Sequence, residues 1–191
     1  MSLHADALAV LGGWVAPDDA QEVLRRRYVG HLAAHPDGLD RSCLPDHLTA
    51  STLVASPDGS RVLLTLHARA GRWFQLGGHC EAADTTLAGA ALREATEESG
   101  LASGPALDPV PLQLSEHPVP FCGPRPEGPD GSSDRARTTH HLDVRFLAVA
   151  DPDAPLGISD ESADLRWWPA DALPDPDADM LHLVALARAR L

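Results

Sequence analysis

The stretch Gly77-Gly78-His79-Cys80-Glu81, with the segment Thr85 to Leu101 that ends Arg93-Glu94-Ala95-Thr96-Glu97-Glu98-Ser99-Gly100-Leu101, decides the reading of this chain. Thr85 to Ser99 reads as a helix, with Ala88, Ala91, Leu92 and Ala95 as its apolar stripe. Gly100 stands where a helix-terminating glycine is expected. At about 100° per residue, Glu94, Glu97 and Glu98 fall together on another side of that helix. Like charges so placed repel, and a helix gains nothing from them unless a cation sits between them. Carboxylate oxygens in such a group suit Mg²⁺ or Mn²⁺, hard ions that also bind phosphate oxygens. A Glu-rich helix is most often just a solvated face. Here Trp73-Phe74-Gln75-Leu76 reads as a short strand running into the glycine pair. Strand, Gly-rich loop and two-faced helix together describe a site for metal-assisted chemistry on a phosphorylated substrate.

Gly78 through Leu101 resembles the Nudix box, whose pattern is G-x5-E-x7-R-E-U-x-E-E-x-G-U with U aliphatic. Gly78, Arg93, Glu94, Glu97, Glu98, Gly100 and Leu101 match it. Asp84 stands where the first box glutamate is expected, eight residues rather than seven separate it from Arg93, and Ala95 is smaller than the usual aliphatic. The extra residue falls ahead of the helix, so it alters the loop more than the metal-binding turn. Weaker similarity extends over residues 47–191, through Trp73–Gly77 and Leu165-Arg166-Trp167-Trp168-Pro169.

The resemblance implies an α/β fold, a Nudix-like α/β/α sandwich with a mixed sheet. It also implies divalent-metal hydrolysis of a diphosphate linkage in a nucleoside diphosphate derivative, with Mg²⁺ (or Mn²⁺) as cofactor. By position, Glu94, Glu97, Glu98 and the Gly78 carbonyl are the implied ligands. Arg93 orients a glutamate through an ion pair, and the role of Asp84 stays open. Glu98 or Glu97 is the implied base, with Glu98 ranked first. A distant glutamate serves in some members, and Glu161 and Glu116 are candidates for that. Two other readings share the fold: a non-catalytic sensor of a nucleotide metabolite, and an isoprenoid diphosphate isomerase. Sensors lose ligand carboxylates, whereas this trio is intact. The isomerase needs a cysteine segment that neither Cys80 nor Cys122 reproduces. Family members often dimerise, so a homodimer is among the expectations.

Composition bounds the rest. A chain of 191 residues can bury one good core. A formal net charge of -13 opposes binding to nucleic acid or an anionic membrane, but not to a phosphorylated small molecule, since bound metal reverses the local sign. The chain has no Lys; with abundant Ala, Pro and Asp this suggests a GC-rich bacterial genome. Three widely spaced cysteines, Cys43, Cys80 and Cys122, suggest a reducing cytoplasm. The lack of a C-x2-C pair gives a structural zinc site little support, and Cys80 reads as a small buried hydrophobe. No signal peptide or membrane span is evident, so a soluble cytoplasmic protein is expected.

Residues 1–46 read as a helical extension packed on a main domain at 47–191. Ala5 to Leu11 is one helix. A second follows Pro17-Asp18-Asp19, with Val23, Leu24, Tyr28 and Leu32 at helical spacing. Its Arg25-Arg26-Arg27 run is read as a solvated face paired with acids. Leu48–Ala55 and Arg61–His67 form a hairpin around Ser56-Pro57-Asp58-Gly59. Val110–Glu116 and Thr139–Ala150 are strands. In the latter Leu142, Val144, Phe146 and Ala148 alternate with outward His141, Asp143 and Arg145. Residues 121–137 read as a mobile loop, either disordered or functional; as a substrate-covering lid it would bring Arg125, Arg135 and Arg137 to a phosphate. Leu165–Trp168 is a short strand, Pro169–Leu173 a helical turn, and Met180–Leu191 a closing helix. His140 and His141 face opposite sides, as do Trp73 and Phe74, and His79 lies where it can approach a phosphate.

Overall fold

Two helices precede the first strand in the computed structural model, which describes residues 2–119, 122, 138–159 and 162–191. The elements are α1 (Leu3–Gly13), α2 (Asp19–Ala34), β1 (Asp46–Ala55), β2 (Arg61–His67), β3 (Arg72–Phe74), β4 (Leu76–His79), α3 (Leu87–Ser99), β5 (Ala106–Pro118), β6 (His140–Val149), β7 (Ser162–Pro169) and α4 (Ala178–Arg190). Among the described residues, no helix is long and apolar enough to cross a membrane.

β1 is buried at every position after its first because both its faces and both its edges are covered. One edge runs parallel to β6 over ten positions, from Asp46 opposite His140 to Ala55 opposite Val149. The other edge is shared. β2 pairs with Val54 and Ala55 only, and β4 takes Thr49 to Thr52. β1 and β2 therefore part soon after their turn, where Ser56 N donates to Arg61 O and the Asp58 carboxylate accepts from Ser56 and Ser60. β3 and β4 fill the gap, β3 on β2 and β4 on β1. The one strand expected over Trp73–Leu76 is thus two, broken at Gln75 where the chain changes partner. β7 covers the far edge of β2, and β5 pairs antiparallel with β6.

Alternation along the strands divides the core in two. Leu48, Ala50, Leu114, Leu142, Val144 and Phe146 pack against Ala7, Leu11, Tyr28 and Leu32 of the first two helices and Leu87, Ala90 and Ala91 of α3. On the opposite face Leu53, Ala55, Val62, Leu64 and Leu147 pack against Met180, Leu183, Val184 and Ala187 of α4. This is the expected α/β/α sandwich with a mixed sheet.

Three local expectations are corrected. The buried stripe of α3 is Leu87, Ala90, Ala91, Ala95 and Ser99, with Ala88 and Leu92 only half-buried. The helix is rolled so that Leu87 N donates to the buried Asp6 carboxylate (2.8 Å), while Thr86 caps it. On α2, Val23 is exposed, and Gln21 is buried in its stead. The Gln21 amide pairs both ways with the backbone of Leu114 (2.6 and 2.9 Å), continuing the hydrogen bonding of the edge strand β5. Third, Asp143 and Arg145 of β6 are buried rather than solvated. They survive there because each is compensated. Arg145 donates to Asp143 (3.1 Å), Gln113 (2.8 Å) and Asp179 (2.7 Å); Asp143 also accepts from Thr49, Ser51 and Gln75. Burial would push the Asp143 carboxyl up, but the charge of Arg145 and these hydrogen bonds hold it below the ordinary range.

Leu32 is fully buried between the first two helices and the sheet. Leu32→Ala is expected to destabilise the chain by about 2–5 kcal/mol, in a single urea transition if residues 1–46 unfold together with the sheet. Two separated transitions would show the extension to be an independent unit.

Candidate active site

β4 is where the sheet meets the acidic helix. Gly77 has φ of 152° and lies so close to β1 that a Cβ would fall 2.3 Å from that of Ser51. No other residue fits. This close pairing directs Gly77 N at α3, where it donates to the Glu98 carboxylate (2.8 Å). Gly78 faces Glu94 closely enough that a Cβ would sit 2.8 Å from Glu94 Oε1. Glu94 and Glu98 thus flank two successive backbone units of one strand. Gly100 ends α3 in the left-handed conformation (φ 64°), with its N donating to Thr96 O (3.0 Å).

Arg93 ties the acids together. Its guanidinium reaches Asp84 with two nitrogens (3.1 and 3.2 Å), Glu94 and Glu97 with Nη1 (3.1 Å each), and the His79 carbonyl with Nη2 (3.0 Å). Glu81 lies 3.7 Å away. The Asp84 side chain is only 7% exposed and also accepts from Glu81 N (2.7 Å). Burial would raise its carboxyl, but Arg93 and that N–H outweigh burial and hold it below the ordinary range. The hydrogen bond to Asp84, opposed by burial and joined by the charges of Glu94 and Asp84, raises Arg93 further above its ordinary value. Aspartate at this position therefore makes a two-pronged ion pair with Arg93. Glu97 is more open, its side chain 59% exposed.

Other candidates are distributed differently. Glu116 is held by Arg27 through two oxygens (2.5 and 2.8 Å), and Arg27 also reaches Asp46 (3.0 Å). Arg25 and Arg26 both pair with Glu22 (2.6 and 2.7 Å). The Arg25–Arg27 run is thus wholly engaged with acids. Glu161, Arg125, Arg135, Arg137 and all of the 121–137 segment except Cys122 lie outside the described residues. Trp73 packs edge-on against Trp168, whereas Phe74 lies against His67 and beneath Arg72. Ala172 N donates to Pro169 O in the turn after β7.

Sequence spacing did not disclose a second cluster, which lies on the α4 side of the sheet. His47 of β1, His79 of β4, His141 of β6 and Cys122 each bring one donor atom to a common point, all within 4.8 Å of one another, and can coordinate a metal ion. The three rings stand 4.8 to 5.2 Å apart. His79 therefore points into this cluster, where a phosphate contact had been expected, while His140 on the other face pairs with Asp46 (3.2 Å). Ten histidines in 191 residues was the signal in the sequence. All three cysteines are free thiols. Cys80 packs against the core, and burial, helped by Asp84, pushes its thiol up to about 12.

A sequence profile for the NUDIX domain matches residues 45–188. No curated protein sequence matches the chain significantly. Among solved structures, a MutT protein from Methanosarcina mazei Go1 is similar at a TM-score of 0.54 and 16% identity, covering 76% of this chain and 96% of that one. A C. elegans Ap4A hydrolase gives 0.53 and 16%, over 75% and 96%. A NUDIX-family hydrolase from Clostridium perfringens gives 0.52 and 21%, over 75% and 94%.

Burial, with the positive charge of Arg41 and then the neighbouring His47, lowers His79 to about 4. Burial, with the neighbouring His79, His47 and His117, lowers His141 to about 3. Both rings are neutral at pH 7. An unfolded histidine takes up its proton near pH 6.5, so these groups stabilise the fold fully above that pH and progressively less down to pH 4 and 3. Urea midpoints of the metal-free protein are expected to fall across pH 6.5 to 4. His141→Gln should fall less steeply, and an unchanged slope would show that the ring is not buried neutral.

Proposed function

From the membership of this chain in the Nudix family, we propose that it is a metal-dependent hydrolase that cleaves the diphosphate linkage of a nucleoside diphosphate derivative (nucleotide sugar, dinucleotide or nucleoside triphosphate). The family is one of diphosphate-cleaving hydrolases. The observation that carries the finer reading is the convergence of Glu94, Glu97 and Glu98, through Arg93 and the Gly77–Gly78 backbone, on one edge of the sheet.

The donors there are all oxygens, the chemistry that Mg²⁺ and Mn²⁺ take. The side-chain-free face of Gly78 lets Glu94 come against the strand. Glu94, Glu97, Glu98 and the Gly78 carbonyl would hold the ion. When bound, it supplies neutralisation of the diphosphate oxygens and a more acidic water. Glu98 is the proposed base. Gly77 N–H donates to its carboxylate, which helps to orient it to take a proton from water as that water attacks phosphorus and the bridging P–O bond of the diphosphate breaks. Glu116 is a weaker candidate, since Arg27 binds both its oxygens. Arg93 is a positioning residue: anchored by Asp84, it sets where Glu94 and Glu97 stand. The solved relatives are named for different activities, among them Ap4A hydrolysis and dihydroneopterin triphosphate pyrophosphohydrolysis. At these identities they speak for fold alone, so the choice of substrate rests on assay.

A Mg²⁺ and Mn²⁺ turnover screen over nucleotide sugars, dinucleotides and nucleoside triphosphates is expected to find cleavage by the wild type. Glu98→Gln should lower kcat by about 10²–10⁴-fold, with a smaller change in KM. Wild-type kcat in that variant would move the base elsewhere. Substrate binding without cleavage across the panel would overturn the hydrolase reading.

A further inference from the structure

We infer that His47, His79, His141 and Cys122 form a second, structural metal site, of the borderline-soft kind that takes Zn²⁺. Tetrahedral zinc, at about 2.0–2.1 Å from nitrogen and 2.3 Å from sulfur, separates those two ligand atoms by about 3.6 Å. Cys122 Sγ stands 3.5 Å from His79 Nε2 and 3.7 Å from His47 Nε2, the spacing that a shared ion requires. The ring of the fully buried His47 makes a hydrogen bond through Nδ1 to the Cys43 carbonyl (3.1 Å). A carbonyl only accepts, so Nδ1 carries the proton and Nε2 presents its lone pair to Cys122. A ligating histidine is commonly oriented in this way. His141 Nε2 is buried with no hydrogen-bond partner among the described residues. Ring packing alone leaves that nitrogen unexplained, whereas an ion at the common point would satisfy it.

The donor set separates this site from the carboxylates. Three imidazoles and a thiolate suit zinc and are poor ligands for Mg²⁺ or Mn²⁺. Four protein ligands close a tetrahedron, as in a structural site, with no position left for a reacting water. Binding needs the Cys122 thiolate, so the thiol proton passes to solvent. The consequence is architectural. The ion would tie Cys122, beyond the end of β5, to three different strands. One tie is His79, whose carbonyl accepts from Arg93 and whose neighbour is Gly78. The inference does not depend on the diphosphatase reading.

The test is metal content and cobalt spectroscopy on the full chain. After loading with Zn²⁺ and dialysis into metal-free buffer, the wild type and Glu97→Gln should each retain about one zinc per chain. Cys122→Ser and His141→Ala should lose it. Co²⁺ in its place should give tetrahedral d–d bands and a thiolate-to-cobalt charge-transfer band, the latter absent from Cys122→Ser. Zinc retained equally by the Cys122 and His141 variants, or lost on Glu97→Gln alone, overturns the inference. Should those two variants fail to fold, the folded wild type decides. Failure to retain metal, or bound cobalt without a thiolate band, overturns it.

Discussion

The site depends on how closely one short strand can be held between its neighbours. β4 lies against β1 at a separation that excludes any side chain at Gly77, and its remaining edge is then free to meet α3. The reward for that strained glycine is a backbone N–H directed at Glu98 and a bare Gly78 surface facing Glu94. The acidic helix would otherwise repel itself. Arg93 offsets part of that repulsion, anchored from below by Asp84. Arg93 lies within 4 Å of Glu81, Asp84, Glu94 and Glu97, and one guanidinium charge cannot neutralise four carboxylates, a balance to which a divalent ion adds favourably.

The opposite face of the same strands obeys another constraint. Under the apolar stripe of α4 the inward residues are aliphatic; at its first turn and beyond they are His47, Thr49, Ser51, His141, Asp143 and Arg145. A buried Asp–Arg pair contributes little net stability unless its remaining donors and acceptors are satisfied. Here Gln113, Thr49, Ser51, Gln75 and Asp179 provide that satisfaction. Asp179 lies in the first turn of α4, so the network also fixes where that helix begins. The polar half of the core is a means of positioning, and the apolar half supplies the burial.

What could be read from the sequence was local, and what could not was pairing across distance. The Glu trio, the Gly100 stop and the Ser56–Gly59 turn each depend on neighbours a few residues away, and each stands where its spacing put it. The burial of Asp143 depends on Thr49 and Ser51, more than ninety positions earlier, and alternation within β6 carries no trace of that. The same holds for the break at Gln75, which follows from two other strands parting. It holds most for the His/Cys cluster: its four members come from β1, β4, β6 and Cys122, beyond β5, so no spacing rule applies. The roll of α3 was missed for a related reason. Alanines on several sides offered nearly equal stripes, and the choice was made by a contact with Asp6 on a different helix.

Strand alternation gives these two faces a common hinge. Successive residues of β4 point to opposite sides of the sheet, so Gly78 meets the carboxylates of α3 while His79 enters the nitrogen and sulfur cluster. One backbone unit therefore borders both a hard-oxygen and a softer donor set. Ligand chemistry keeps the two apart, since neither set favours the ion suited to the other. Mechanically they are joined: the His79 carbonyl is held by the same arginine that sets Glu94 and Glu97. The acidic edge is therefore tied to β4 behind it as well as to the helix that carries it.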